Sequence, residues 1–176
     1  MKIPTNTLAL AAALFSANSA RAGDVSPLAT NTAACIELHD QYDSPQRLTF
    51  PATNITVLAI ADRKGAQQVD GWIAALKPRY AGRINLRGIA DLGGAPGFIQ
   101  ARIRKKFQET RQYPVMMDWS GEVCAQLSYK KDVANILLLS RDGSILARFS
   151  GRADGPQIAE ACALLDKALA RPKKST

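Results

Sequence analysis

The stretch Ile55-Thr-Val-Leu-Ala-Ile-Ala61, followed by the turn Asp62-Arg63-Lys64-Gly65, decides the fold of this 176-residue chain. The first segment is apolar except for one threonine, and a short run of this kind is typical of a central strand that is buried on both faces. After the turn, apolar side chains recur at helical spacing and predict a helix that packs on a sheet. These side chains are Val69, Trp72, Ile73, Leu76 and Tyr80.

The same strand and helix order recurs in the next part of the chain. Residues 84–90 predict a second strand, the glycine-rich turn over 92–97 follows it, and a helix then carries Ile99, Ile103 and Phe107 on one side. Because parallel strands are joined by crossovers of this kind, the two units predict a βαβα half with right-handed connections.

The C-terminal half has a different order. A short strand over 114–118 leads to a predicted hairpin, whose strands cover 135–140 and 145–150 around an Asp-Gly turn. Pro156 opens a last helix, which ends before Arg171. A βαβα half joined to a ββα half is the layout of the thioredoxin-like fold, an α/β three-layer sandwich around a central mixed sheet. A further hairpin is predicted over 36–50, as an N-terminal extension.

The first 22 residues have the features of a secretory signal. Lys2 precedes an apolar run over 8–15, and Ala20-Arg21-Ala22 fits the A-x-A rule for cleavage. We therefore expect cleavage after Ala22 and a periplasmic location. The apolar run is far shorter than the roughly 20 residues that span a bilayer, so no transmembrane anchor is expected after cleavage.

The remaining residues, 23–176, are enough for a single domain with a hydrophobic core. We expect its ends, residues 23–34 and 171–176, to be flexible. The formal net charge of the whole chain is +8, and removing the two positive charges of Lys2 and Arg21 leaves +6. This excess favours anionic partners, without choosing among them.

The mature chain contains three cysteines, Cys35, Cys124 and Cys162. In an oxidising compartment they allow one disulfide and one remaining thiol. Cys162 falls on the apolar stripe of the last helix, where packing explains it. We predict a disulfide between Cys35 and Cys124, although spacing does not determine connectivity.

Several short motifs resemble the YtfJ family of periplasmic, signal-peptide-bearing, thioredoxin-like proteins. They are Ile60-Ala-Asp-Arg63, Ile89-Ala-Asp91 followed by Ala95-Pro-Gly97, Tyr113-Pro114 with Asp118 and Gly121, and Leu139-Ser-Arg-Asp-Gly143. The resemblance covers nearly the whole mature chain. It implies the thioredoxin-like fold and a periplasmic location, and it implies little about activity.

The usual redox site of this fold is altered in the sequence. Active thioredoxin-like proteins carry a C-x-x-C motif between the first core strand and its helix, where the helix N-terminus lowers the pKa of the attacking thiol. The corresponding residues here, 62–66, contain no sulfur, so disulfide exchange and peroxide reduction cannot run there by the normal route. Val133-Ala134 also stands where the fold normally has a cis-proline before the terminal hairpin.

Two interpretations of this altered junction remain. The free N–H groups and dipole of the helix start, with Arg63 and Lys64, would suit an anion. Alternatively, Asp62 caps the helix while the two cationic side chains point into solvent, and we favour this because caps are common at helix starts. The candidate ligand-binding residues are Asp62, Arg63, Lys64, Gly65, Ala134 and Asn135.

Other functional templates are weaker. The basic run Arg102-Ile-Arg-Lys-Lys106 has no interleaved aromatics, so we predict a solvated helix face and not a nucleic-acid site. The chain has one histidine, His39, and no metal-ligand spacing or G-x-S-x-G motif, so no metal or other cofactor is predicted.

The sequence therefore favours a non-catalytic binding or accessory protein of the cell envelope, with an anionic ligand or a periplasmic protein as its partner. The alternative is an atypical thiol oxidoreductase of the redoxin type that uses Cys124 away from the usual site. No catalytic residue is assigned beyond that alternative, and a structural role in an envelope assembly stays open.

Overall fold

The computed structural model of the protein describes residues 35–170. The predictions on the signal sequence and on the two flexible ends therefore lie outside the described residues. In chain order, the elements are β1 (Ile36–His39), β2 (Pro45–Leu48), β3 (Ile55–Ala61), α1 (Ala66–Tyr80), β4 (Ile84–Asp91), a 3-10 turn (Gly97–Ile99), α2 (Gln100–Thr110), β5 (Met116–Asp118), α3 (Glu122–Gln126), β6 (Asn135–Leu139), β7 (Ile145–Ser150) and α4 (Gly155–Ala170).

Five strands form one mixed sheet in the order β5-β4-β3-β6-β7, and β1 pairs with β2 in a separate hairpin. Strand β3 is parallel to β4, which is parallel to β5, whereas β6 is antiparallel to both β3 and β7. Every residue of β3 is buried, as expected for the centre of the sheet. The predicted thioredoxin-like fold is confirmed.

Helices α1 and α4 cover one face of the sheet. Trp72, Leu76 and Tyr80 of α1 are buried there with Cys162 and Leu165 of α4. The Trp72 indole N–H donates a hydrogen bond to the Gly151 carbonyl at 3.0 Å, which ties α1 to the end of β7. The apolar stripes that the sequence predicted for both helices therefore form one core.

The hairpin β1–β2 and helix α3 cover the other face. Ile36 and Leu48 of the hairpin and Cys124 of α3 pack there against Leu58 and Ile60 of β3. Helix α2 contributes less to the core than predicted, because it has no buried residue. Ile103 and Phe107 of α2, and Ile99 of the preceding 3-10 turn, are only half-buried.

Hydrogen bonds hold the hairpin to the edge of the sheet. The side chain of Gln41, fully buried, donates to the Tyr113 carbonyl and accepts from the Val115 N–H, both at 2.9 Å. Arg104 of α2 donates to the Asp40 carbonyl at 2.9 Å and pairs with Asp43 at 2.9 Å. The prediction of a solvated basic face on α2 is therefore wrong at Arg104, whose guanidinium links the helix to the hairpin.

Two boundaries differ from the prediction. Strand β5 begins at Met116 and not at residue 114, because Tyr113 and Val115 are bonded to Gln41. Helix α3 was not predicted, since a five-residue helix has too few turns to show a periodic pattern. Within residues 35–170, no helix combines the length and the apolar character needed to cross a membrane.

Candidate functional site

Three aspartates lie at the carboxyl ends of the three parallel strands. Asp62 directly follows β3, Asp91 ends β4, and Asp118 ends β5 as the register partner of Asp91. Since these strands run in the same direction, the three side chains share one edge of the sheet. This is the edge where the thioredoxin-like fold normally places its redox site.

Asp62 organises the turn between β3 and α1. Its carboxylate accepts hydrogen bonds from the backbone N–H groups of Lys64 at 3.0 Å, Gly65 at 2.8 Å and Asp132 at 2.7 Å. Partial burial raises the pKa of Asp62, but these three N–H donors outweigh it and leave the pKa below its ordinary value of 3.8. The N–H groups of Lys64 and Gly65 are therefore already engaged, and an anion at this turn would have to compete with Asp62.

The turn is in direct contact with the loop that precedes β6. A Cβ atom added to Gly65 would lie 2.4 Å from the carbonyl oxygen of Val133, closer than any real contact allows. Lys64 Nζ pairs with the Asp132 carboxylate at 3.1 Å, and the side chain of Gln68 accepts from the Ala134 N–H at 3.2 Å. The structure thus brings the two predicted loops together, and backbone contact closes the space between them at Gly65.

The remaining candidate residues have different surroundings. The buried Asn135 side chain accepts from the Lys130 N–H and donates to the Lys130 and Val133 carbonyls, at 2.8 to 2.9 Å. The hydrogen bonds of the Asn135 side chain are therefore all made to the loop that precedes β6. Arg63 is exposed and has no ion pair with any described residue, so it is the cation of this turn that remains open to a partner.

Asp118 and Cys124 form a buried pair. The Asp118 carboxylate accepts from the Gly121 N–H at 2.9 Å and from the Cys124 N–H at 2.9 Å, which fixes the start of α3. Burial of the Cys124 thiol, with the carboxylates of Asp118 and Asp91 nearby, strongly raises its pKa. Since the thiolate is the nucleophilic form, Cys124 has the properties of a structural cysteine.

Tyr129 is hydrogen-bonded to Asp91, the aspartate that ends β4. Its hydroxyl donates a hydrogen bond to one oxygen of Asp91, and the other oxygen accepts from the Gly93 N–H at 3.0 Å. Burial and the Asp91 carboxylate both raise the pKa of Tyr129, so its phenol stays protonated at neutral pH. Sequence reasoning missed this pair, although an aspartate at the end of a parallel strand with a glycine two residues later was a usable signal.

The three cysteines are free thiols, so the disulfide predicted between Cys35 and Cys124 is not present in the structure. Cys35 is exposed just before β1, whereas Cys124 is buried in the core beneath the hairpin. Cys162 is buried on α4, in the stripe where the sequence placed it.

No metal centre is found in the described range. Among residues 35–170, no three His, Cys, Asp or Glu side chains are arranged to hold a metal ion. His39 is exposed in the hairpin and contacts the Asp43 carboxylate at 3.1 Å.

One exposed aromatic lies near the same edge of the sheet. Phe98, in the connection that follows β4, is 87% exposed, and sequence reasoning did not select it. An aromatic and an unpaired arginine in the loops at one end of a sheet offer the side-chain types that anchor protein interfaces.

The comparisons with known proteins bear on the fold. The sequence matches no protein-family model and no curated protein. Among solved structures, the chain is similar to the exposed lipoprotein thioredoxin of Streptococcus pneumoniae, with 13% identity, a TM-score of 0.59, and coverage of 76% of this chain and 99% of the other. It is also similar to a protein assigned as the thiol:disulfide interchange protein DsbE from Chlorobium tepidum, with 15% identity, a TM-score of 0.59, and coverage of 78% and 95%.

A third similar structure is the peroxidoxin BcpB from Mycobacterium tuberculosis, with 22% identity, a TM-score of 0.53, and coverage of 78% of this chain and 95% of the other. At such identities the likeness is one of fold. The solved structures that this chain resembles are thioredoxin-fold, redoxin-like proteins, and its own fold is thioredoxin-like.

Proposed function

We propose that this chain is an exported accessory protein of the cell envelope, similar to the YtfJ family, that binds a partner protein and does not catalyse thiol chemistry. One observation carries the proposal. The turn Asp62-Arg63-Lys64-Gly65 contains no sulfur and lies at the carboxyl end of β3, in contact with the loop at Val133.

The chemistry of the thiols supports a binding role. A dithiol reaction needs an accessible thiolate with a second sulfur close by. In this protein Cys124 and Cys162 are buried, Cys35 is exposed, and all three are free. The alternative of a redoxin that uses Cys124 is disfavoured, because burial and two carboxylates raise the pKa of its thiol.

The hydrogen bonds of Asp62 favour a protein partner over a small anion at this edge. The carboxylate already holds the N–H groups of Lys64 and Gly65, which are donors that an anion would need. Arg63 and Phe98 remain exposed at the same edge. Arginine and aromatic side chains of this kind often contribute most of the binding energy of an interface.

Turnover assays on residues 23–176 test the catalytic part of the proposal. We expect no reduction of insulin disulfides and no consumption of hydroperoxide in the presence of dithiothreitol. A double variant, Arg63→Cys with Ala66→Cys, provides the positive control, since it places two thiols at C-x-x-C spacing in the same turn. Turnover by the unmodified protein, lost in Cys124→Ser, would establish the redoxin alternative instead.

Crosslinking tests the binding part. A photoreactive residue at position 98, in protein produced in a Gram-negative host, should capture a defined envelope protein. Arg63→Glu should reduce this capture, whereas Arg102→Glu on α2, an equal change in charge at another exposed site, should not. Equal capture by both variants would argue against this edge as the binding surface.

A further inference from the structure

A polar cleft lies at the opposite end of the sheet from the aspartate edge. Its volume is about 240 Å³, and it is open to solvent and bordered by the end of β2, the connection to β3 and the first half of β4. The two ends of the sheet are at least about 20 Å apart, because this is the length of strand β3 at roughly 3.3 Å per residue. The cleft is therefore independent of the surface considered under the proposed function.

The alternation of side chains along β4 places the polar ones on the hairpin side. Ile84 and Leu86 belong to the core beneath α1 and α4. Asn85 and Arg87 alternate with them and so point to the other face, where Leu48 of the hairpin packs. Both line the cleft, together with Thr49 and Thr53 from the connecting segment.

The charge of the cleft is positive. Arg47 and Arg87 line it, and none of its lining residues is acidic. Arg47 is held by Glu37 through two contacts, at 2.9 and 3.1 Å, whereas Arg87 is exposed and has no hydrogen bond or ion pair with any described residue. Arg87 therefore supplies a guanidinium whose positive charge is not compensated within the cleft.

A buried hydroxyl adds to the polar character of this end. Thr56 is the register partner of Asn85, so the two side chains lie on the same face of neighbouring strands. Thr56 is fully buried, and its hydroxyl has no hydrogen-bond partner. Thr56 does not itself line the cleft, but it lies on the strand next to Asn85, which does.

We propose that this cleft binds a phosphate group. Arg87 offers a planar set of N–H donors that suits phosphate oxygens. Thr49, Thr53 and Asn85 also line the cleft, and their hydroxyl and amide groups can donate hydrogen bonds. A phosphate group has more acceptor oxygens and more negative charge than a carboxylate, so it suits a cleft lined by two arginines and three further donor side chains better. The positive net charge of the chain assists the approach of such an anion.

Isothermal titration of residues 23–176 tests this proposal, with inorganic phosphate and glycerol phosphate as probes and acetate for comparison. Saturable binding of a phosphate probe, tighter than that of acetate, is expected. Arg87→Gln should weaken it by about tenfold or more, because the charge-assisted hydrogen bonds of the guanidinium are lost. Arg102→Gln, which removes the same charge from an exposed position on α2, should leave the affinity within about twofold.

A second measurement locates the site and separates the sources of phosphate. In NMR titrations the amides of Thr49, Thr53 and Asn85 should shift with the probe, while those of residues 62–65 should not. Sedimentation with vesicles of phosphatidylglycerol, against vesicles of phosphatidylcholine, shows whether a lipid phosphate is preferred over the soluble probes.

The absence of saturable phosphate binding would overturn the proposal, as would equal affinities for Arg87→Gln and Arg102→Gln. Thermal unfolding of both variants checks that each is folded. The result is independent of the turnover and crosslinking assays, since those concern the other end of the sheet.

Discussion

Gly65 shows how a single residue defines the altered junction. Its backbone is right-handed helical, with φ of −64°, so the requirement for glycine here is one of space and not of conformation. Any side chain at this position would push the turn away from Val133. Gly65 therefore keeps the two loops in contact at the edge where we propose that a partner binds.

We expect Gly65→Ala to lower the free energy of unfolding by about 1–3 kcal/mol, the usual effect of overpacking a closed site. Urea denaturation followed by tryptophan fluorescence measures the change. Gly97→Ala is the matched control, because a Cβ atom there would contact nothing within 4 Å. A Gly65 variant as stable as this control would mean that the contact is not required.

Asp62 predicts a dependence of stability on pH. Because its pKa is lower in the folded protein than its ordinary value of 3.8, the carboxylate stabilises the fold at pH values above 3.8. This contribution is lost as the pH falls through the lower, folded-state pKa. Unfolding experiments from pH 6 to pH 2.5 should show the stability difference between wild type and Asp62→Asn shrinking as the pH falls. A difference that stays constant over this range would contradict the role given to the carboxylate.

For individual residues, the sequence showed which residue types occupy the junction but not which other residues they contact. The sequence shows directly that residues 62–66 contain no sulfur and that two of them are cationic. The contact of Gly65 with Val133 cannot be seen in the sequence. Val133 is distant along the chain, and its position depends on the pairing of β6 with β3. The burial of Cys124 was equally hidden, since it depends on α3, which is too short to show a pattern.

Among the elements, the hairpin β1–β2 depends on one buried side chain. Gln41 bonds to both Tyr113 and Val115, so its loss leaves a backbone N–H and a carbonyl without partners. We expect Gln41→Ala to destabilise the protein by about 1–3 kcal/mol, the usual effect of leaving a buried polar group unsatisfied. Chemical denaturation measures this, with Gln67→Ala at an exposed position of α1 as the control. Equal stability of the two variants would show that the hairpin is held by its apolar contacts alone.

The long elements were predictable because their patterns are local. Strand β3 and helix α1 show complete apolar patterns, and the structure places both where the sequence did. The role of Arg104 was not predictable, since spacing along α2 identifies an outward face without showing that another element lies against it. The hairpin occupies part of that face.

For the whole molecule, the order of strands and helices was sufficient to predict the fold. The alternation of a βαβα half with a ββα half leaves few arrangements open, given right-handed crossovers. The observed sheet is mixed and has β3 at its centre, as the sequence predicted. The phosphate cleft was beyond this kind of inference, because it is formed where the extra hairpin meets the common fold.

Export is a prediction about the entire chain. When the protein is produced from its full sequence in a Gram-negative host, we expect it in the periplasmic fraction with Gly23 as its first residue. Mass spectrometry of the purified protein identifies the N-terminus. Replacing both Ala20 and Ala22 with aspartate should prevent cleavage and give the longer species. A cytoplasmic, unprocessed wild-type protein would contradict the proposed location.

The hairpin has one more consequence, which concerns neighbouring copies of the chain. Strand β5 is one of the two edge strands of its sheet and only three residues long, and the margins of sheets are where separate molecules can join into fibrils. Gln41 occupies the backbone groups of Tyr113 and Val115 just before this strand. These two backbone groups are therefore not available to pair with a strand of another molecule, which limits how far a fibril-like contact could extend along this margin.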